Sequence, residues 1–248
     1  MKKLGKFGAQ VAQYEKGRRN YSAEVFKYIK KLNKIKNPLI LDLGCGTGIS
    51  SRQLLTVGKV IGCDLDPIML KAAKRHKTIK PIKYIIGKAN NLPFKNSTFD
   101  IVTTFAAFHW FHDRKSISEI KRVLKPAGKF FVVNKTGIMS WGKNYRKAIM
   151  KSIGQPIAEF GNKNFQPDKI LRANGFKEVE MKIWQNKEIF TLANALEYVQ
   201  SISIWNSVPK NKRELALAGL NKYFSTVLKR KGKIERRLNL KVVSGINN

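Results

Sequence analysis

Three glycines at alternate positions, set directly after an apolar run, are the residues with the most chemical content. Leu39-Ile40-Leu41-Asp42-Leu43 leads into Gly44-Cys45-Gly46-Thr47-Gly48. Glycine has no Cβ and tolerates positive φ, so such a stretch turns sharply and lets a ligand touch the backbone. The helix that must follow, over 49–55, directs unpaired N–H groups and its positive end at whatever the loop holds. That is the chemistry of a nucleotide cradle. About 20 residues on, Val60-Ile61-Gly62-Cys63-Asp64 is a second apolar run, ending in a carboxylate that could accept both hydroxyls of a ribose. Asp66, followed by Pro67, is better placed as the cap of the next helix, which leaves Asp64 for the sugar. A dinucleotide fold would want a third small residue where Ile49 stands, so the NAD fingerprint fails.

Strands and helices must hold these groups, and the hydrophobic pattern supplies them. Near-continuous apolar runs predict strands at 38–43, 60–64 and 82–86, with a fourth opening at Phe99 and running toward Phe105 to Phe111. A helix over 113–124 and the turn Lys125-Pro126-Ala127-Gly128 lead into a fifth strand, Phe130 to Val133. This alternation implies right-handed βαβ units in an α/β, doubly wound, mostly parallel sheet with helices on both faces. Ligands in such sheets lie across the carboxyl ends of the strands, where Gly44, Asp64, Ala89 and Phe105 fall. Beyond the fifth strand, 138–171 shows helical patches broken by Gly154, Pro156, Gly161 and Pro167. A strand at 179–184, helices at 192–205 and 212–228, and a final strand through Leu238, Leu240 and Val242 follow, the last closing the sheet edge as its seventh member. One domain over 1–248 is expected. It comprises an N-terminal helical segment at 1–35, a ligand-binding core at 36–135 and a helical cap at 186–230 inserted before the last strand.

The ordered set Asp42-x-Gly44-x-Gly46-x-Gly48, Asp64, Ala89-Asn90 and Phe108-His109-Trp110-Phe111 resembles class I S-adenosylmethionine-dependent methyltransferases of the methyltransferase-11 type. The Phe-His-Trp-Phe stretch resembles the trans-aconitate methyltransferase-like small-molecule enzymes. The likeness covers nearly the whole chain and implies a Rossmann-like fold, S-adenosylmethionine as cofactor, and a small-molecule methyl acceptor such as a carboxylate or other anion. It carries the cofactor contacts onto Asp42, Gly44, Cys45, Gly46, Gly48, Asp64, Leu65, Ala89, Asn90 and Phe105. Tyr14 to Tyr21 resembles the family's Tyr…Arg-Pro-x-Tyr-Pro segment over the methionine end, which adds Tyr14 and Arg18; packing of an N-terminal helix is the competing role for Tyr14. His109 is the candidate base, since imidazole titrates near neutrality, although His109 and Trp110 could equally just shape the pocket wall. The cap implies Ser201, Ser203 and Trp205 on the substrate side, with ordinary helix packing as the alternative.

Three departures qualify the likeness. Arg19 and Ser22 replace prolines, which predicts a less rigid segment. Lys88 stands where a carboxylate usually accepts from the adenine amino group; an ammonium only donates, so adenine falls to the backbone near Ala89 or the Asn90 amide. Ala106 stands where a glutamine is common.

The chain has 49 Lys and Arg against 16 Asp and Glu, a formal charge of +33 over 248 residues. Such a surplus attracts polyanions in a salt-dependent way. An RNA methyltransferase, with nucleic acid as partner, is therefore the alternative function, and a non-catalytic S-adenosylmethionine-binding regulator is a third. Yet the positive residues are mostly Lys and spread along the chain, with no RNA-binding module signature; the densest run, 229–237, reads as a solvated loop. Two cysteines and three scattered histidines offer neither a disulfide framework nor a zinc spacing. With no apolar run after Lys2-Lys3 and none long enough to cross a bilayer, a soluble, cytoplasmic protein is expected.

Overall fold

The computed structural model describes residues 11–138, 141–158 and 165–248. Its strands are β1 (Leu39–Leu43), β2 (Lys59–Asp64), β3 (Lys83–Ile86), β4 (Phe99–Phe105), β5 (Leu124–Gly137), β6 (Lys177–Phe190) and β7 (Ile234–Ile246). They form one seven-stranded sheet in the order β3-β2-β1-β4-β5-β7-β6. The first five pair in parallel, and β7 runs antiparallel to both β5 and β6. The order reverses between β1 and β4, and a crevice at their carboxyl ends is the usual ligand position in such a sheet. Every residue of β4 is buried, as a strand covered on both faces requires.

The helices are α1 (Val11–Gly17), α2 (Ala23–Leu32), α3 (Ile49–Leu54), α4 (Pro67–Arg75), α5 (Arg114–Val123), α6 (Trp141–Ile153), α7 (Pro167–Ala173), α8 (Leu192–Gln200) and α9 (Arg213–Lys231). Asp66 caps α4 through Ile68 N–H, as its position before Pro67 predicts. Two cores flank the sheet: Ile29, Leu54 and Phe131 belong to one, Ile120, Phe130 and Leu171 to the other. The cap has a third core of its own, with Ile149, Val199, Trp205 and Phe224. None of the described helices is long and apolar enough to cross a membrane.

Four expectations need correction. The final strand is interior, because β7 returns from the cap between β5 and β6; β6, mostly exposed, takes the edge, where charged side chains are tolerated. β4 ends at Phe105: Ala106 adopts φ 52°, and Phe108–Trp110 is a 3-10 turn rather than strand. The helix expected over 192–205 stops at Gln200, and Ser203–Ser207 forms another 3-10 turn. Residues 229–237 are no loop. They end α9 at Gly232 and begin β7, so that Arg236 is buried. The cap therefore leaves the sheet at Phe190 and rejoins it at Ile234, and these two residues are register partners.

The N-terminal segment lies between the core and this cap. Gly17 packs so closely on α8 that a methyl group there would sit 2.5 Å from the Tyr198 backbone nitrogen. Lys135 Nζ donates to the carbonyls of Arg19 and Asn20 at 3.0 and 3.2 Å, and Arg19 donates to Asn194 Oδ1 at 2.8 Å. Tyr21 and Gln53 exchange two hydrogen bonds of 2.9 and 2.8 Å. The missing prolines are thus replaced by tethers. Gly17→Ala should cost about 1–3 kcal/mol by overpacking. Urea unfolding would measure that loss, and faster proteolytic cleavage near Arg18 should accompany it.

Candidate active site

The glycine loop is fixed by β2. Gly44, Gly46 and Gly48 all have positive φ, at 73°, 55° and 75°. The N–H groups of Gly44 and Cys45 donate to the Cys63 carbonyl at 2.8 and 3.2 Å. Gly46 N–H donates to Asp64 Oδ2 at 2.8 Å, while Asp66 N–H donates to Oδ1 at 2.9 Å. Burial raises the Asp64 pKa, and these backbone amides oppose the rise. At Gly48 a side chain would run into the phenol of Tyr84, so the loop passes over β3 only as bare backbone.

Asp42 supports the loop from below. It is fully buried and accepts from Ser50 Oγ at 2.7 Å, Ser51 Oγ at 2.6 Å and Thr103 Oγ1 at 3.2 Å. Burial nevertheless pushes its pKa from 3.8 to about 6 against those three donors. The expectation of a direct ligand contact is corrected here, because the carboxylate's oxygens are engaged within the core.

Above the loop lies a cavity of about 80 Å³. Tyr14, Arg18, Gly44, Cys45 and Phe105, which the sequence brought forward as cofactor contacts, are among the residues that line it. Lys135, Glu188, Tyr198 and Arg236 line it as well, and the sequence singled out none of them. Glu188 joins Lys135 at 2.6 Å and Arg236 at 3.0 Å. The guanidiniums of Arg18 and Arg236 lie 5.6 and 4.8 Å from the Tyr198 ring centre. Burial lowers the Lys135 pKa, with Glu188 opposing that shift. A signal for these residues did exist: Lys135 continues the inward face of Phe131 and Val133, and Arg236 lies between inward Ile234 and Leu238. A charge in a buried register was the clue.

Other expected residues are placed differently. Ser201 is buried and its hydroxyl donates to the Tyr198 carbonyl at 2.7 Å; only its own carbonyl reaches the site, accepting from Arg18 at 3.0 Å. Trp205 is packed in the cap core, and Ser203 sits half-buried in the 3-10 turn. His109 and Trp110 lie ring to ring at 4.9 Å and neither lines the cavity. His109 is solvent-exposed, yet desolvation of its ring, then His112 and Arg18, lowers its pKa to about 4. It is neutral at pH 7 but a weak base, which counts against the general-base role. Leu65 and Asn90 are exposed and Ala89 half-buried, at or just beyond the ends of β2 and β3.

The family model for the methyltransferase domain matches residues 41–132, from β1 into β5. An uncharacterized methyltransferase of Schizosaccharomyces pombe is 24% identical over 226 residues, covering 89% of this chain and 88% of that one. Residues 41–132 are a methyltransferase domain, and the chain is an S-adenosylmethionine-dependent methyltransferase. Two solved structures share the methyltransferase's fold. The YcgJ protein of Bacillus subtilis has TM-score 0.57 at 20% identity, over 92% of this chain and 99% of that one. Phosphoethanolamine N-methyltransferase 2 of Haemonchus contortus, solved with S-adenosyl-L-methionine, has TM-score 0.56 at 21% identity, over 97% of this chain and 57% of that one. The methyltransferase's own residues fit its cofactor: the loop leaves no room for a side chain at Gly48, and a carboxylate stands at the end of the adjoining strand.

Asp42 gives this methyltransferase a pH signature. Its native pKa lies above the unfolded one, so the folded state holds an extra proton between about pH 4 and 6. Its contribution to stability is therefore largest at low pH and falls as pH rises through that window, by up to about 3 kcal/mol. In urea unfolding, Asp42→Asn should gain on the wild type by about that much between pH 4 and pH 7. A pH-independent difference would contradict the assignment.

Proposed function

We propose that the methyltransferase moves the methyl group of S-adenosylmethionine to a small-molecule acceptor bearing an anionic group, a carboxylate being the leading candidate. The supporting observation is the composition of the cavity beside the glycine loop: among the described residues, four cations, Arg18, Arg19, Lys135 and Arg236, stand against one carboxylate, Glu188. In this reading Asp64 accepts the ribose hydroxyls. Leu65 and Ile86, 40% and 60% exposed, offer apolar surface to adenine, with Ala89 backbone and the Asn90 amide for its polar edge. Tyr14 and Arg18 hold the methionine end beside Gly44, Cys45 and Phe105.

The bound cofactor supplies an electrophilic methyl group on a sulfonium. The chain's part is to align the acceptor, exclude water and neutralise its charge; good alignment alone is worth about 7–11 kcal/mol of barrier. A carboxylate acceptor is already nucleophilic, so the weak basicity of His109 does not obstruct this chemistry. RNA is the second reading, favoured by the net charge of +33.

Two experiments test the reading. Calorimetry should show S-adenosylmethionine binding that weakens at least about tenfold in Asp64→Ala, the loss of a hydrogen bond to a charged acceptor; unchanged affinity removes the ribose assignment. Labelled-methyl transfer should then favour small carboxylic acids over total RNA at physiological salt, and the reverse result would move the function to the second reading.

A further inference from the structure

Lys135, Glu188 and Arg236 belong to three adjacent strands, β5, β6 and β7, near the end of each that meets the cap. Each shares a strand face with a buried apolar residue two positions away: Val133, Phe190 and Ile234. Side chains in that register are normally core. Charges taken out of water there are destabilising unless opposed by others. Glu188 opposes two of them, with one oxygen for Lys135 and the other for Arg236. Among the described residues that leaves the cavity lining with a formal surplus of three positive charges once Arg18 and Arg19 are counted. The Nε atoms of Arg18 and Arg19 are moreover buried without a hydrogen-bond partner among the described residues.

The cofactor does not remove this surplus. Its methionine end brings one carboxylate together with an ammonium and a sulfonium, and so adds net positive charge. The remaining imbalance calls for an anion from the other reactant.

We propose that Arg236 and Arg19, which line the cavity together with the Lys135–Glu188 ion pair, form a subsite for an oxyanion group of the methyl acceptor. The proposal rests on the methyl-transfer reading above and adds where the acceptor is held and by what. Glu188 is a positioning residue: one oxygen holds the Arg236 guanidinium and the other Lys135, whose three N–H groups are taken by Glu188 and the carbonyls of Arg19 and Asn20, and the Glu188 charge limits how strongly Arg236 binds a second anion. Carboxylates and phosphate monoesters share the required chemistry, a compact group with two or more acceptor oxygens. A purely structural clamp is the alternative, since Lys135 also holds the carbonyls of Arg19 and Asn20.

The test is calorimetric titration of the full chain, saturated with S-adenosylhomocysteine, with malonate and separately with inorganic phosphate. The wild type should bind at least one, and which one separates a carboxylate from a phosphate acceptor. Binding should weaken about tenfold or more in Arg236→Met, as expected for losing a charge-assisted contact. It should strengthen several-fold in Glu188→Gln, where the competing charge is gone. Lys187→Met, an exposed lysine on the same strand as Glu188, should change nothing. S-adenosylhomocysteine affinity should stay near wild type in all three variants, which shows the cofactor half intact. Equal anion binding in Arg236→Met, weaker binding in Glu188→Gln, or no anion binding by the wild type would overturn the subsite. Failure of the wild type to bind S-adenosylhomocysteine would instead overturn the reading beneath it.

Discussion

Asp64 accepts from two backbone amides at once, one in the glycine loop and one just beyond its own strand. The conformation of the loop depends on this because its glycines supply no side chains of their own to hold it. Left alone, three residues with positive φ would sample many shapes, and ordering each costs about 1–2 kcal/mol of backbone entropy. The carboxylate at the end of β2 opposes that freedom from one side. Asp42, buried beneath with its three hydroxyl donors, does so from the other. One acid is open to a ligand and the other is not, although the two lie on neighbouring strands.

What β5, β6 and β7 contribute to the cleft is governed by charge rather than by backbone shape. Three ionised side chains occupy positions where the fold elsewhere places valine, isoleucine or phenylalanine. Such an arrangement is expensive for stability, and apolar replacements of similar size are often neutral or better in this respect. Here it also fastens the N-terminal segment, since Lys135 reaches both Glu188 and the carbonyls before Tyr21. Core, cap and N-terminal helix therefore meet at a single polar junction above the loop.

The half of the molecule around the glycine loop was legible in the sequence for a definite reason. β1, β2 and β4 are covered on both faces, so their apolar runs are continuous, and turn residues mark their ends. Strand order beyond β5 was not legible. Alternation in Leu238, Leu240 and Val242 says that one face is buried but not which neighbours the strand takes, and β7 proved interior. The 3-10 turn at Phe108–Trp110 was hidden because its aromatic residues resemble a strand until Ala106 reverses the chain. Resemblance to a family led to Tyr14, Arg18 and Phe105, whereas Glu188 and Arg236 lay outside every motif. For Ser201 and Trp205 the packing alternative fits their burial in the cap, since helical spacing cannot tell a pocket wall from the interior of the cap.

Phe190 and Ile234 are paired across β6 and β7. Everything from Thr191 to Lys233 is thus an excursion that starts and finishes on hydrogen-bonded neighbours. Lengthening a segment whose ends are already joined costs little, about 0.6 kcal/mol for each doubling. Insertions and deletions can therefore accumulate in the excursion without disturbing the sheet, except in α8, which Gly17, Arg18 and Arg19 fasten to the N-terminal segment, so that this one helix must keep its place while its neighbours vary.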